Sequence, residues 1–232
     1  MKTLSALFLC LLILVSAPVW GADFDRGVVA YESGDYATAL REWTPLAEQG
    51  LVEAQYNLGQ MYRKGDGVPK DDKEAVKWYW RATEQGHASA QNNLGVMYEK
   101  GKGVPKDDRE AAKWYQRAAE QGDAEAQSNL GWMYYKGKGV PKDYEEAVKW
   151  YRRATEQGYA KAQFNLGVMY YQGEGVLQDY VQAHMWWNIA RSNGLAVNGE
   201  FLNFLEKKMT SSQIAEAQKL ARECVAKDYK GC

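Results

Sequence analysis

The chain has 232 residues, 46% of them hydrophobic and 25% charged, and a formal charge of −1 at pH 7. That composition suits one sizeable globular domain or an array of repeats. Opposite charges alternate finely and no basic stripe stands out, which argues against a nucleic-acid partner.

In chain order the first element is an apolar run, Leu4 to Val15, behind Lys2 and ahead of small and turn-forming residues. It is too short to span a bilayer comfortably and has the anatomy of a secretory signal. A cut after Gly21 puts Val19 and Gly21 at the two positions a signal peptidase inspects. A cut after Ala22 would put bulky Trp20 there. The expectation is a signal peptide over 1–21 and a mature chain from Ala22, with an uncleaved anchor as the alternative. Cys10 leaves with the peptide. No membrane span is then expected, and the chain is read as exported.

A short helical pair is expected over 22–50, "FDRGVVAYESGDYATALREWTPLAEQG" included. Four units of 36 residues follow, at 51–86, 87–122, 123–158 and 159–194. Gly59, Gly95, Gly131 and Gly167 mark the period, as do Tyr62, Tyr98, Tyr134 and Tyr170, and Trp78, Trp114, Trp150 and Trp186. Each unit reads as two amphipathic helices. In the second, Ala90, Leu94, Met97 and Tyr98 form one apolar stripe and Ala111, Trp114, Tyr115 and Ala118 the other. Neither helix can bury its stripe alone, so stacking into a right-handed α-solenoid is expected, an all-α fold. The repeated glycine costs about 1 kcal/mol of helix propensity per copy relative to Ala. A recurring cost of that size predicts a close helix–helix approach.

Between the two helices stands "KGKGVPKD" at 100–107 and again at 136–143, with "KGDGVPKD" at 64–71 and "QGEGVLQD" at 172–179. A phosphate cradle is a poor reading. The third glycine and a preceding strand are missing, Pro105 removes an N–H, and Asp107 and Asp108 would repel an anion at the helix start. The alternating acids of a calcium loop are also missing. A joint between helices accounts for every letter. Asp71 with Glu74, Asp107 with Glu110, Asp143 with Glu146 and Asp179 with Gln182 fit a capping box.

The region 195–232 reads as a C-terminal helical cap. One helix is predicted over 197–208 with Phe201, Leu202, Phe204 and Leu205 as its apolar face. A second is predicted over 211–227, behind a Thr210–Gln213 capping box. Cys224 and Cys232, an even pair in an exported chain, are expected to close a small disulfide loop. The alternative, a redox-active pair, lacks the two-residue spacing.

The pattern "AQ…NLG.MY..G.GV..D…A.KWY.RA.EQG" resembles the Sel1-like repeat, a relative of the tetratricopeptide repeat with a longer inter-helix loop. It covers about 51–194 in four copies. The segment 22–50 resembles a plain tetratricopeptide unit. Tyr31 to Ala39 spans eight residues where Tyr62 to Ala75 spans thirteen, a loop five residues shorter. The resemblance implies a non-catalytic adaptor for a protein or peptide partner, in a bacterial periplasm or outside the cell. It carries two alternatives: a β-lactamase-like hydrolase of the cysteine-rich type, or a secreted factor that engages host or envelope receptors. The cysteine-rich type has a cysteine pair in each repeat, and the four units here have none.

For chemistry the sequence offers little. His87 and His184 are the only histidines and lie in different units, each read as a surface or partly buried residue. No nucleophile motif or metal-ligand spacing is present. No cofactor, metal or catalytic residue is expected. The more informative positions are those that differ between copies on the first helix of each unit. Tyr56, Gln60 and Arg63 become Asn92, Val96 and Glu99, then Ser128, Trp132 and Tyr135, then Phe164, Val168 and Tyr171. The candidate partner-binding groove is Tyr56, Trp132, Tyr135, Phe164, Val168 and Tyr171. The alternative is that these rings pack between helices or against the cap. Asn57, Asn93, Asn129 and Asn165 flank the stripe, either bonded to nearby backbone or forming an amide ladder for a peptide.

Overall fold

The structure is a computed structural model that describes residues 21–196 and 199–232. The expected signal segment, apart from Gly21, lies outside those residues. The described residues form twelve helices and no strand, wound as a right-handed α-solenoid. The first unit is α1 (Phe24–Glu32) and α2 (Tyr36–Glu48). The four 36-residue units supply α3 (Val52–Lys64) with α4 (Asp72–Glu84), α5 (Ala88–Lys100) with α6 (Asp108–Glu120), α7 (Ala124–Lys136) with α8 (Tyr144–Thr155), and α9 (Ala160–Gln172) with α10 (Tyr180–Ser192). The chain ends in α11 (Gly199–Glu206) and α12 (Ser211–Ala226).

The periodic glycines are where the two helices of a unit meet. A Cβ on Gly59 would lie 2.6 Å from the Tyr79 ring, and one on Gly95 would lie 2.7 Å from that of Tyr115. Gly131 faces Tyr151 and Gly167 faces Trp187 in the same way. The three tyrosine rings are completely enclosed. The close approach predicted from the recurring glycine is therefore an aromatic ring lying on bare helix backbone. The burial of each ring outweighs the glycine's propensity cost.

The core is divided along the solenoid. Each cluster joins the second helix of one unit to the first helix of the next. Ala75, Val76, Tyr79 and Ala82 of α4 pack with Ala90, Leu94 and Met97 of α5, and Trp114 of α6 closes the cluster. Trp78 and Trp150 hold the equivalent places on either side. In the first unit the tryptophan position holds Glu42. Its carboxylate accepts the Asp23 N–H (3.1 Å) and pairs with Arg41 (3.2 Å) and Arg26 (3.6 Å). An amide spine also stitches the units. Gln85, Gln121 and Gln157 donate to Gln55, Gln91 and Gln127 at 2.9, 2.7 and 2.8 Å, and Asn193 donates to Gln163 at 2.9 Å.

The glycine loop is a joint with two grips. Its first glycine ends the helix in the left-handed conformation, as at Gly101 (φ 64°), where an L side chain would be strained. Its second glycine seats on the preceding unit: a Cβ on Gly103 would fall 2.2 Å from the Asp72 carbonyl oxygen, and one on Gly139 would fall 2.0 Å from that of Asp108. The expected capping boxes form only by half. Asp107 accepts from the Arg109 and Glu110 N–H groups (2.9 and 3.0 Å), but its own N–H goes to the Tyr98 carbonyl (3.0 Å). Glu110 pairs with Lys113 instead of reaching back. Asp71, Asp143 and Asp179 likewise donate to Tyr62, Tyr134 and Tyr170. The loop is braced to the end of the preceding helix, which removes the donor a box would need. Thr210 and Gln213 do form the full reciprocal box at the start of α12.

At the C-terminus α12 packs on α10, much as the first helix of a further unit would. Cys224 sits in the last core cluster and is bonded to Cys232 across a Cα–Cα distance of 5.6 Å. The loop so closed presents Tyr229, whose hydroxyl donates to Asn193 (3.0 Å). The preceding helix ends at Glu206, two residues before the predicted 208, and only half of its expected apolar face is buried. Leu202 and Leu205 are enclosed, while Phe201 and Phe204 remain 50% and 52% exposed.

Candidate partner-binding groove

The face of the first helices that varies between units forms a trough. Three successive helices build it: α3 gives Tyr56, Gln60 and Arg63, α5 gives Ser89, Asn92, Asn93, Val96, Glu99 and Lys100, and α7 gives Glu125 and Asn129. Asp123 and Lys161 stand at its edge, and its volume is about 340 Å³. α5 and α7 touch directly, which puts this face on the inside of the curve. An apolar extension of about 410 Å³ continues toward α1, lined by Val28, Tyr31 and Trp43 and sharing Tyr56 and Gln60 with the trough.

Second helices also reach the groove, through the glycine contacts. The Tyr79 hydroxyl donates to Gln60 Oε1 (3.1 Å) and the Tyr115 hydroxyl to Glu99 Oε2 (2.7 Å). Burial, with the bond to Glu99 adding to it, pushes the Tyr115 phenol far above its usual range, so it stays a neutral donor. Gln60 is held further by Tyr56 (2.7 Å) and by Arg63 (2.7 Å). Asn129 Nδ2 donates to Asn92 Oδ1 across the unit boundary (3.0 Å), a side-chain pair and not the backbone bond expected of the repeated asparagines. The charges are mixed: Arg63, Lys100 and Lys161 stand with Glu99, Asp123 and Glu125.

His87 lies beside the trough. It caps α5, its Nδ1 accepting the Ala90 N–H (3.1 Å), and its ring stacks on Tyr56 at 4.6 Å. Burial lowers its pKa below the ordinary imidazole value, against the pull of Glu53 and Asp123. His184 is enclosed between α10 and α11, deeper than the surface or partly buried setting expected of it. Its Nε2 meets Glu206 (2.9 Å) and its Nδ1 meets the Asn188 amide (2.8 Å).

The six candidate aromatic and aliphatic positions do not come together as one patch. Tyr56 lines the open trough. Trp132 is half-buried under Lys138, and Tyr135 lies against Tyr144 and donates to Gln172 (3.1 Å). Phe164, Val168 and Tyr171 pack with Trp187, Leu202 and Leu205 beneath α11. The trough's polar lining was partly legible, since Gln60, Arg63, Asn92 and Glu99 stand at the variable positions. Tyr115 was not read as part of it, because the sequence placed it on the buried stripe of the second helix. Ser89, Asp123, Glu125 and Lys161 sit at helix starts and carried no signal. Among the described residues, no group of His, Cys, Asp or Glu is arranged to hold a metal ion, and no helix is long and apolar enough to cross a membrane.

A family model for the Sel1 repeat matches residues 52–87, 88–123, 124–159 and 160–195. Among solved structures the chain is similar to a Sel1 repeat protein from Oxalobacter formigenes. The two are 36% identical, with a TM-score of 0.68 over 87% of this chain and 75% of that one. It is also similar to a protective antigen present in uropathogenic Escherichia coli strains displaying an SLR fold. That pair is 36% identical, with a TM-score of 0.82 over 89% of this chain and 46% of that one. Among curated proteins, an exopolysaccharide production negative regulator from Rhizobium leguminosarum bv. viciae is 39% identical over 56 residues. That match spans 24% of this chain and 21% of the relative's length.

Proposed function

The chain belongs to the Sel1 repeat family, and we propose that it is an exported, non-catalytic scaffold that holds an extended segment of a protein partner in the trough across α3, α5 and α7. The observation that carries this reading is the lining itself. Side-chain amides, hydroxyls and charges of both signs converge from three parallel positions of the repeat, with the apolar extension at one end. Amides offer donor and acceptor together, as a peptide backbone requires. The apolar end near Val28, Tyr31 and Trp43 suits an anchoring side chain. The partner is expected to be polar along most of its bound length. Export is supported by the Cys224–Cys232 disulfide, which suits an oxidising compartment.

Selection of displayed random peptides against the full chain tests the groove. Enriched peptides should lose at least about tenfold in affinity on Asn93→Ala combined with Arg63→Glu, at an unchanged melting temperature. Peptides that bind both proteins equally would move the site elsewhere.

A further inference from the structure

Phe164, Val168 and Tyr171 are the α9 counterparts of Tyr56, Gln60 and Arg63 on α3, and of Asn92, Val96 and Glu99 on α5. They stand on the same face as the open trough, one or more units farther along. There the face is not open. α11 lies over it, with Leu202 and Leu205 enclosed against Trp187 and these three side chains. Phe201 meets Phe164 and Trp187 at 6.0 Å each, and Phe204 meets Tyr171 at 6.3 Å. A segment of the chain itself thus fills the groove at its last unit.

The way α11 is held sets it apart from the other helices. It has eight residues, about two turns, too few to stay helical in water without a surface to lie on. Two polar contacts fasten it among the described residues. Glu206 meets the enclosed His184 at 2.9 Å, and Lys208, just beyond the helix, donates to the Tyr171 hydroxyl at 3.1 Å. Phe201 and Phe204 are half-exposed, so the aromatic face is incompletely covered. α12 does not depend on it. α12 packs on α10, places Cys224 in the last core cluster and fixes Tyr229 on Asn193. α11 thus stands in the sequence between two helices that pack on each other.

We propose that α11 is a built-in occupant of the groove, displaced when a partner protein presents an amphipathic helix of the same chemistry. That chemistry is two aliphatic side chains three positions apart, each preceded by an aromatic residue, as in Phe201-Leu202 and Phe204-Leu205. Displacement opens Phe164, Tyr171 and Trp187 and extends the groove to the end of the solenoid. α11 then changes from helix to coil, an order–disorder switch. This site is distinct from the polar trough and does not depend on it.

Two measurements on the full-length protein decide the matter. In hydrogen exchange, the amides of 199–206 should exchange at least about a hundredfold faster than those of α10, through local opening. A fluorescein-labelled peptide of residues 199–210 should bind the Leu202→Asp/Leu205→Asp variant at least about tenfold more tightly than the wild type, and Phe164→Asp added to that variant should abolish binding. Exchange of α11 in step with α10, equal peptide binding to both proteins, or a double variant in which α10 and α12 unfold together would each overturn the proposal.

Discussion

At the scale of single residues, the contact that organises every unit is a ring on a glycine. Gly95→Ala gains about 1 kcal/mol of helix propensity. Its methyl, however, would stand 2.7 Å from a Tyr115 ring that is enclosed and cannot withdraw. Overpacking of this kind costs about 1–3 kcal/mol. A net loss of up to about 2 kcal/mol is expected in urea unfolding by the same balance, and a net gain would mean that the ring moves aside. His87 makes a second prediction. Only its neutral ring can accept the Ala90 N–H, and burial lowers its folded-state pKa. The unfolded chain therefore takes up the proton first. Stability is full above the ordinary imidazole pKa of about 6.5 and falls as pH drops through it toward the lower folded value. His87→Asn keeps an N-cap acceptor and should flatten that slope below about pH 6.5, as read by melting temperature. A parallel slope in both proteins would assign the pH dependence to other groups.

At the scale of elements, the C-terminal cap depends on a covalent tie. Cys224 is buried in the last cluster while Cys232 lies in the tail, and their bond holds Tyr229 against Asn193 and Gly158. Cys232→Ser should cost about 2 kcal/mol on chain-entropy grounds for so short a loop. The loss should appear first as faster exchange in the last turn of α12, with α3 to α8 unchanged. The helices themselves were legible. A period of 36, glycine stops and acidic N-caps place α5 from Ala88 to Lys100 as the stripe of Ala90, Leu94 and Met97 predicts. The route of the Asp107 N–H was not legible, because it depends on how near the loop passes to Tyr98. The place of α11 was left open for a related reason. Phe164 and Tyr171 read either as a partner-binding face or as rings packed between helices or against the cap, and only the return of the chain after α10 decides between the two. Sequence periodicity reports which face a residue occupies, and it carries no information on which distant segment lies over that face.

At the scale of the whole molecule, stability is distributed among clusters that each span one unit boundary. Removal of residues 87–122, which joins Gly86 to Asp123, replaces one boundary with an equivalent one. The shortened protein should fold with the same helicity per residue, and its urea m-value should fall in proportion to the surface no longer buried. Loss of cooperative unfolding would show that the units are less interchangeable than their packing indicates. The seam that makes this exchange feasible is the second glycine of the last three loops. Gly103, Gly139 and Gly175 rest on the backbone of residues 72, 108 and 144, which are Asp, Asp and Tyr. Because the joint grips main chain, it is indifferent to the side chains on either side of it. A gene carrying such a joint can gain or lose a copy in one recombination event and still encode a foldable protein, which leaves the inward-facing positions free to drift toward new partners.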